Sequence, residues 1–154
     1  MKVKDIMTKD ITFCTPDTTV AAAAHLMWEA DCGILPVIDD GVLDGVITDR
    51  DMYIALATKN ARASELRAGA IATKTVVTCA PDDDVATALE TMKQARVRRL
   101  PVVAADTTVL GMLSMNDIVL AAGPSGSTVG SDEVLAAMQV ICAHARLAGA
   151  RAAA

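Results

Sequence analysis

The chain repeats itself. Ile6 to Val20, IMTKDITFCTPDTTV, aligns with Ile71 to Val85, IATKTVVTCAPDDDV, sharing Ile, Thr-Lys, Cys, Pro-Asp and Val at a constant separation of 65 residues. The same separation carries Leu26–Ile38, LMWEADCGILPVI, onto Thr91–Val103, TMKQARVRRLPVV, and it grows by one to carry Gly45 onto Gly111. One residue is therefore inserted in the turn after the second Pro-Val. A register held over this length is a duplication, and it restricts the fold severely: whatever one half forms, the other forms too.

Each half reads the same way. A short apolar run, ITFC or TVVTC, predicts a β-strand and meets Pro-Asp. Then Val20, Ala23, Ala24 and Met27 in one half, and Val85, Ala88, Leu89 and Met92 in the other, recur at helical spacing behind a Thr or Asp suited to cap the start. ILPVI with LDGVIT, and RLPVV with VLGMLS, read as β-hairpins around polar turns. DRDMYIALAT and MNDIVLAA predict a second helix. The unit is β-α-β-β-α, and one copy alone leaves a sheet face uncovered. The expected fold is α+β, two repeats (1–62 and 63–122) packed with pseudo-twofold symmetry. Residues 123–154 read as a linker, GPSGSTVGSDE, and a C-terminal helix with Ser131 as cap and Val134, Leu135, Met138, Ile141 and Cys142 as its apolar stripe.

Composition removes several function classes. At 154 residues the chain buries a core without staples, and its four cysteines, Cys14, Cys32, Cys79 and Cys142, form neither CxxC pairs nor metal-spaced clusters. They read as small apolar fillers in a reducing compartment. No apolar run reaches the roughly 20 residues of a membrane span, and MKVKDIMTKD is charged where a signal peptide is apolar, so the expectation is a cytoplasmic protein away from membranes. A net charge of −5 with one Trp, one Tyr and one Phe argues against nucleic-acid binding. His25 and His144 are lone histidines, Asp82 to Asp84 read as a solvated helix start and not a metal site, and Met27, Met92, Met112 and Met115 fall at core positions. No P-loop, activated nucleophile or metal constellation supports an enzyme.

The chemistry concentrates in GVITDRD, Gly45 to Asp51, and its copy GMLSMND, Gly111 to Asp117. A carboxylate is acceptor-only with two oxygens and takes both protons of a ribose diol, a role that suits Asp51 and Asp117. A hydroxyl three residues earlier, Thr48 or Ser114, at a helix start, suits a phosphate oxygen. The same spacing is also that of a capping box, which needs no ligand. Spacing alone leaves both readings open.

The pairing of LPVIDDGVLDGVITDRD with LPVVAADTTVLGMLSMND, each behind a helix and a Thr-Lys lead-in, resembles a tandem cystathionine-β-synthase (CBS) domain pair, or Bateman module, over about residues 1–122. The resemblance implies regulatory binding of an adenosine-type ligand, AMP, ADP or ATP, or in some members S-adenosylmethionine or NAD, with no further cofactor. It implies an adenine wall from the opposite repeat: Ala72, Thr73, Val77 and Val97 facing Thr48 and Asp51, and Met7, Thr8, Thr12 and Cys32 facing Ser114 and Asp117. In RVRRLP, Arg96 to Pro101, it makes Arg98 and Arg99 candidates for ligand phosphates. Strand alternation predicts that these two point to opposite faces, one toward ligand and one toward solvent. Gly33 and Ile34 stand at their places in the first repeat, so two unequal pockets are expected. The resemblance further implies a homodimer that acts through a separate effector protein, the alternative being a ligand-free scaffold.

Overall fold

In the computed structural model, which describes residues 1–123 and 129–143, the duplication is visible element by element. In the first half, helix α2 (Val20–Glu29) begins where Thr19 Oγ1 accepts the Ala22 N–H at 3.1 Å, and it buries Val20, Ala23 and Met27. Ala24, expected on the same stripe, is exposed. In the second half, α4 (Val85–Ala95) buries Val85, Ala88, Leu89 and Met92 as the spacing predicts. Its Asp84 makes no side-chain cap, because the carboxylate is drawn to Lys2 Nζ, 3.0 Å away.

The two Leu-Pro-Val segments open antiparallel hairpins. Strand β1 (Ile34–Asp39) pairs with β2 (Val42–Thr48), and β3 (Arg99–Val103) with β4 (Val109–Ser114), each pair a separate two-stranded sheet. Asp40 and Gly41, both at positive φ, close the first hairpin in two residues, as the right-handed strand twist favours. The second turn is longer, with Thr107 at φ 66°, and this is where the inserted residue sits. The tips of the two hairpins bond to each other, Leu43 N to Thr107 O (3.2 Å) and Val109 N to Gly41 O (3.2 Å). Helices α3 (Asp49–Lys59) and α5 (Met115–Ala121) follow directly from the hairpins.

ITFC and TVVTC do not form the predicted strands. Each contributes a single parallel bridge, Cys14 to Val37 and Cys79 to Val102. Pro16 and Pro81 stand two residues on, lack an N–H and so end the ladder where it begins.

The packing units are offset from the sequence repeats. Residues 1–8, including the short helix α1 (Val3–Ile6), lie on the second half: Val3 N donates to Asp83 O (3.0 Å), Val85 N to Met1 O (3.2 Å), and Thr8 exchanges bonds with Met112 at 2.9 Å. Residues 66–73, with the 3₁₀ turn Ala68–Ala70, do the same for the first half: Ala68 N to Thr18 O (2.8 Å), Val20 N to Leu66 O (2.9 Å), and Thr73 paired with Val46. These lead-ins explain the glycine of each motif. A Cβ on Gly45 would stand 2.8 Å from the Thr73 carbonyl oxygen, and one on Gly111 2.5 Å from that of Thr8.

Two apolar clusters result. The first gathers Val20, Ala23, Met27, Leu35, Val37, Ile47, Met52 and Ala68. The second gathers Val3, Val85, Leu89, Met92, Leu100, Val102, Leu113 and Ile118, and it is extended by Val129, Val134 and Ala137 from the region of α6 (Ser131–Cys142). The last helix therefore belongs to the core of the second half. Gly130, not Ser131, precedes it as cap residue, and Leu135 and Cys142, expected on its apolar stripe, face outward while Ala137 faces in.

Candidate functional site

Two clefts lie between the halves, and their walls correspond position by position. The larger, about 650 Å³, is lined by Thr48 and Asp51 at the start of α3, by Thr73, Thr75, Val76 and Val77 after the lead-in, and by Ala95 to Arg99 and Pro101 leading into β3. The smaller, about 200 Å³, is lined by Ser114 and Asp117, by Thr8, Asp10, Ile11 and Thr12, and by Ala30 and Cys32. Ile34 and Arg99, equivalent positions in the two repeats, line both.

Of the residues read from the sequence, the large cleft brings together Thr48, Asp51, Thr73, Val77, Val97, Arg98 and Arg99. Ala72 does not line it; it packs against the first core cluster and beside Gly45. The small cleft brings together Thr8, Thr12, Cys32, Ser114 and Asp117, while Met7 packs on the second cluster, its sulfur beside Gly111. Val77 is 40% exposed, so it is a wall residue and not a core residue.

Both hydroxyl–aspartate pairs form capping boxes. Asp51 Oδ2 accepts from the Thr48 N–H (3.0 Å) and from Thr48 Oγ1 (2.7 Å), while Thr48 Oγ1 accepts from the Asp51 N–H (3.1 Å). Ser114 and Asp117 repeat this at 2.7, 2.6 and 3.3 Å. The geometry divides the carboxylate. Oδ2 holds the helix start, and among the described residues Oδ1 takes no hydrogen bond, leaving it free to accept from a ligand hydroxyl. A hydroxyl has one hydrogen, and here it points to the aspartate, so in this arrangement Thr48 and Ser114 have none to give a phosphate.

The strand whose alternation was expected to divide the two arginines begins only at Arg99. Arg98 precedes β3, its carbonyl accepting from the Met115 N–H at 2.9 Å, and both residues line the large cleft, Arg98 exposed and Arg99 half-buried. Two further arginines join them that the sequence reading missed: Arg50, between Thr48 and Asp51, and Arg96 in the left-handed conformation just past α4. The signal for Arg50 was its place in the first turn of a helix whose start the motif already located. Arg96 opens the RVRRLP cluster, which was its signal, but its left-handed φ cannot be read from a residue type that usually avoids it. Among the described residues none of these four guanidinium groups is in an ion pair or hydrogen bond. Against them stand two carboxylates, Asp49 and Asp51. The small cleft has the opposite balance, Asp10 and Asp117 against Arg99 alone. The expected inequality of the pockets is thus one of both size and charge.

Other candidate groups have structural partners. Lys4 Nζ meets Asp82 at 2.6 Å, which raises the lysine pKa and lowers that of the carboxyl, chiefly through their hydrogen bond. Asp83 accepts from the Ala80 N–H at 2.8 Å. Among the described residues no His, Cys, Asp and Glu group could hold a metal. His25 sits on the surface beside Glu29 (3.3 Å) and Trp28, and His144 lies outside the described residues. Met27, Met92, Met112 and Met115 are buried. Burial pushes the Cys14 thiol up to about 11 and, with help from Asp83, that of Cys79 to about 12. Cys142, read as a filler, is exposed.

The CBS-domain family model matches residues 3–58 and 68–123, so the chain belongs to the CBS-domain family and contains two such domains in tandem. It is 31% identical over 118 residues to the CBS domain-containing protein YhcV of Bacillus subtilis, covering 77% of this chain and 83% of that one. Against two longer relatives, a homoserine O-acetyltransferase and an inosine-5′-monophosphate dehydrogenase, it spans only 23% of their length. Among solved structures it resembles the CBS domain pair of MJ0100 in complex with 5′-methylthioadenosine and S-adenosyl-L-methionine (TM-score 0.68, 28% identity, 78% of this chain and 94% of that one). It equally resembles CBSX2 in complex with AMP (TM-score 0.68, 29% identity, with the same coverage of both chains). Among the described residues no helix is long and apolar enough to cross a membrane.

Proposed function

We propose that this chain is a regulatory module that binds an adenine nucleotide, AMP, ADP or ATP, in the larger cleft and signals its level in the cytoplasm to a separate effector protein, without catalysis of its own. The observation that carries this reading is the convergence there of an unengaged aspartate oxygen, an apolar wall of Val76, Val77 and Val97, and arginines. These are the partners of a ribose, a base and a phosphate respectively. The volume suits a nucleotide, since ligand pockets run from about 300 to 1,000 Å³. Relatives of the same fold hold AMP, 5′-methylthioadenosine and S-adenosyl-L-methionine. The smaller cleft falls below that range and is acidic, which supports a single nucleotide per chain.

Thermal unfolding of the purified protein with AMP, ADP, ATP, S-adenosylmethionine and NAD tests this. A ligand at 100 times its Kd stabilises by about 2.7 kcal/mol. No shift with any of the five sinks the proposal and leaves the ligand-free scaffold, a reading favoured by the capping boxes, which are complete without ligand.

The homodimer is part of the same proposal. Trp28 is 78% and Tyr53 75% exposed, and Ile54, next to Tyr53, is exposed too; Val119 and Leu120 of α5 are exposed at the positions equivalent to Tyr53 and Ile54. Large apolar side chains presented this way support association through the helical faces. Sedimentation showing a monomer at micromolar concentration removes that part.

A further inference from the structure

We propose that the large cleft reads the number of phosphates, and that Arg50 and Arg96 are the residues that set this preference. The inference rests on the nucleotide reading above and deepens it: the ligand class is a nucleoside polyphosphate, with two or more phosphates, in preference to a monophosphate or a sulfonium nucleoside.

The charge distribution carries the argument. The chain as a whole is acidic, with a net charge of −5, yet four of its arginines line one cleft, where only Asp49 and Asp51 oppose them. Of the other cations among the described residues, Lys2 is engaged with Asp84, Lys4 with Asp82, Lys74 with Asp44, Lys93 with Glu90 and Arg67 with the Asp17 carbonyl, while Lys9, Lys59 and Arg62 have no such partner and do not line this cleft. Four guanidiniums lining a cleft with only two carboxylates repel one another and gain from an anion that spans them. A single phosphate presents too few oxygens for four planar, five-donor groups; a di- or triphosphate presents enough.

The arginines enter from two sides. Arg50 comes from the first turn of α3, one residue before the Asp51 that faces the ribose, while Arg96, Arg98 and Arg99 come from the segment between α4 and β3. Arg96 is held at φ 54°, a backbone conformation unfavourable for its residue type. In the first repeat Asp31 holds the equivalent left-handed position at φ 48°, so the bend belongs to the fold and the cation at it belongs to this cleft. The matching wall of the small cleft has Asp10 where the large one has Thr75, which adds a carboxylate exactly where the large cleft stays neutral.

The test is calorimetric titration of the full chain with adenosine, AMP, ADP, ATP, S-adenosylmethionine and inorganic tripolyphosphate, at low and at 0.5 M salt. ATP and ADP are expected to bind at least tenfold more tightly than AMP, with the gap narrowing at high salt as the charges are screened. Arg50→Gln and Arg96→Asn, the latter chosen because Asn tolerates the left-handed backbone, are each expected to weaken ATP about tenfold and AMP less than threefold, with unchanged thermal unfolding of the free protein. Tripolyphosphate is expected to displace ATP from the wild type and not from the double variant. Equal affinity for AMP, ADP and ATP, or an equal loss for all three in the variants, overturns the inference and leaves the nucleotide reading intact. Binding of tripolyphosphate with no binding of any adenosine ligand overturns the nucleotide reading and keeps the polyphosphate clamp. Binding of none of them overturns both.

Discussion

Replacing Asp51 by two different residues separates the two jobs its carboxylate holds. Oδ2 accepts from the Thr48 N–H and hydroxyl, and among the described residues Oδ1 takes no hydrogen bond. Asp51→Ala removes both. The half-buried Thr48 N–H loses its partner and α3 its capping box, which costs about 1 to 2 kcal/mol and lowers Tm by roughly 2 to 8 °C for a chain of this size. Asp51→Asn keeps a carbonyl oxygen to serve as the cap, so its cost is confined to the lost charge at the helix start, about 0.3 to 1 kcal/mol. The amide nitrogen then takes the Oδ1 position, and a donor there cannot accept from ribose hydroxyls. Both variants are therefore expected to lose nucleotide affinity by about ten- to hundredfold, or roughly 1.5 to 3 kcal/mol, while only Asp51→Ala loses much stability. Calorimetry with AMP and ATP, beside thermal unfolding of the free proteins, reads the two effects independently. Wild-type affinity in Asp51→Asn refutes the ribose contact. Equal stability of Asp51→Ala and wild type refutes the cap.

Three further outcomes follow from the packing. Gly111→Ala drives a methyl group into the Thr8 carbonyl and is expected to cost at least about 2 kcal/mol and to loosen residues 1–8, measured as faster amide exchange at Thr8 and Met112; undiminished protection there contradicts the crossing. Removing residues 131–154 strips Val134 and Ala137 from the second cluster and is expected to lower stability by roughly 3 to 5 kcal/mol, so an unchanged denaturant midpoint shows that α6 is no part of the core. Cys14 and Cys79 stay protonated in the folded protein to about pH 11 and 12, whereas unfolded thiols ionise near 9. Their contribution is thus whole below pH 9 and falls as pH rises above it, by up to about 1.4 kcal/mol per pH unit for each thiol; unfolding curves for the Cys14→Ala, Cys79→Ala protein that fall as steeply as wild type's above pH 9 rule this out.

The elements themselves were legible because hydrophobic spacing and turn residues are local. The hairpins, α2 to α5 and the buried face of α4 needed nothing beyond the chain's own period. The misread elements depended on tertiary partners. Asp84 has the right side chain for a cap, but Lys2, more than 80 residues away in sequence, competes for it. ITFC and TVVTC have strand composition, but each makes a single bridge before its proline. In the site, the wall positions were carried over from the resemblance to a CBS pair, and most of them line the clefts. Which atom of Asp51 stays free, and that Arg96 takes a left-handed bend at the cleft, depend on hydrogen directions and a backbone conformation that residue types do not encode.

The offset between sequence repeat and packing unit bears on the order in which the molecule can be completed. Residues 14–73 close the first half from one continuous stretch, with Ala68 and Thr73 reached soon after α3. The second half has no such closure from its own stretch. Val3 and Thr8, synthesised long before, must be held unpaired until Asp83 and Met112 exist to receive them. The loop this closes is the larger by far, yet closure entropy grows only with the logarithm of length, so the delay is kinetic more than thermodynamic. Until then the second apolar cluster stands open where Val3 belongs, and the corresponding segment of another copy of the chain fits it equally well. At high concentration during refolding the protein is thus exposed to exchange of residues 1–8 between molecules, a swapped pair whose formation competes with monomer closure in proportion to protein concentration.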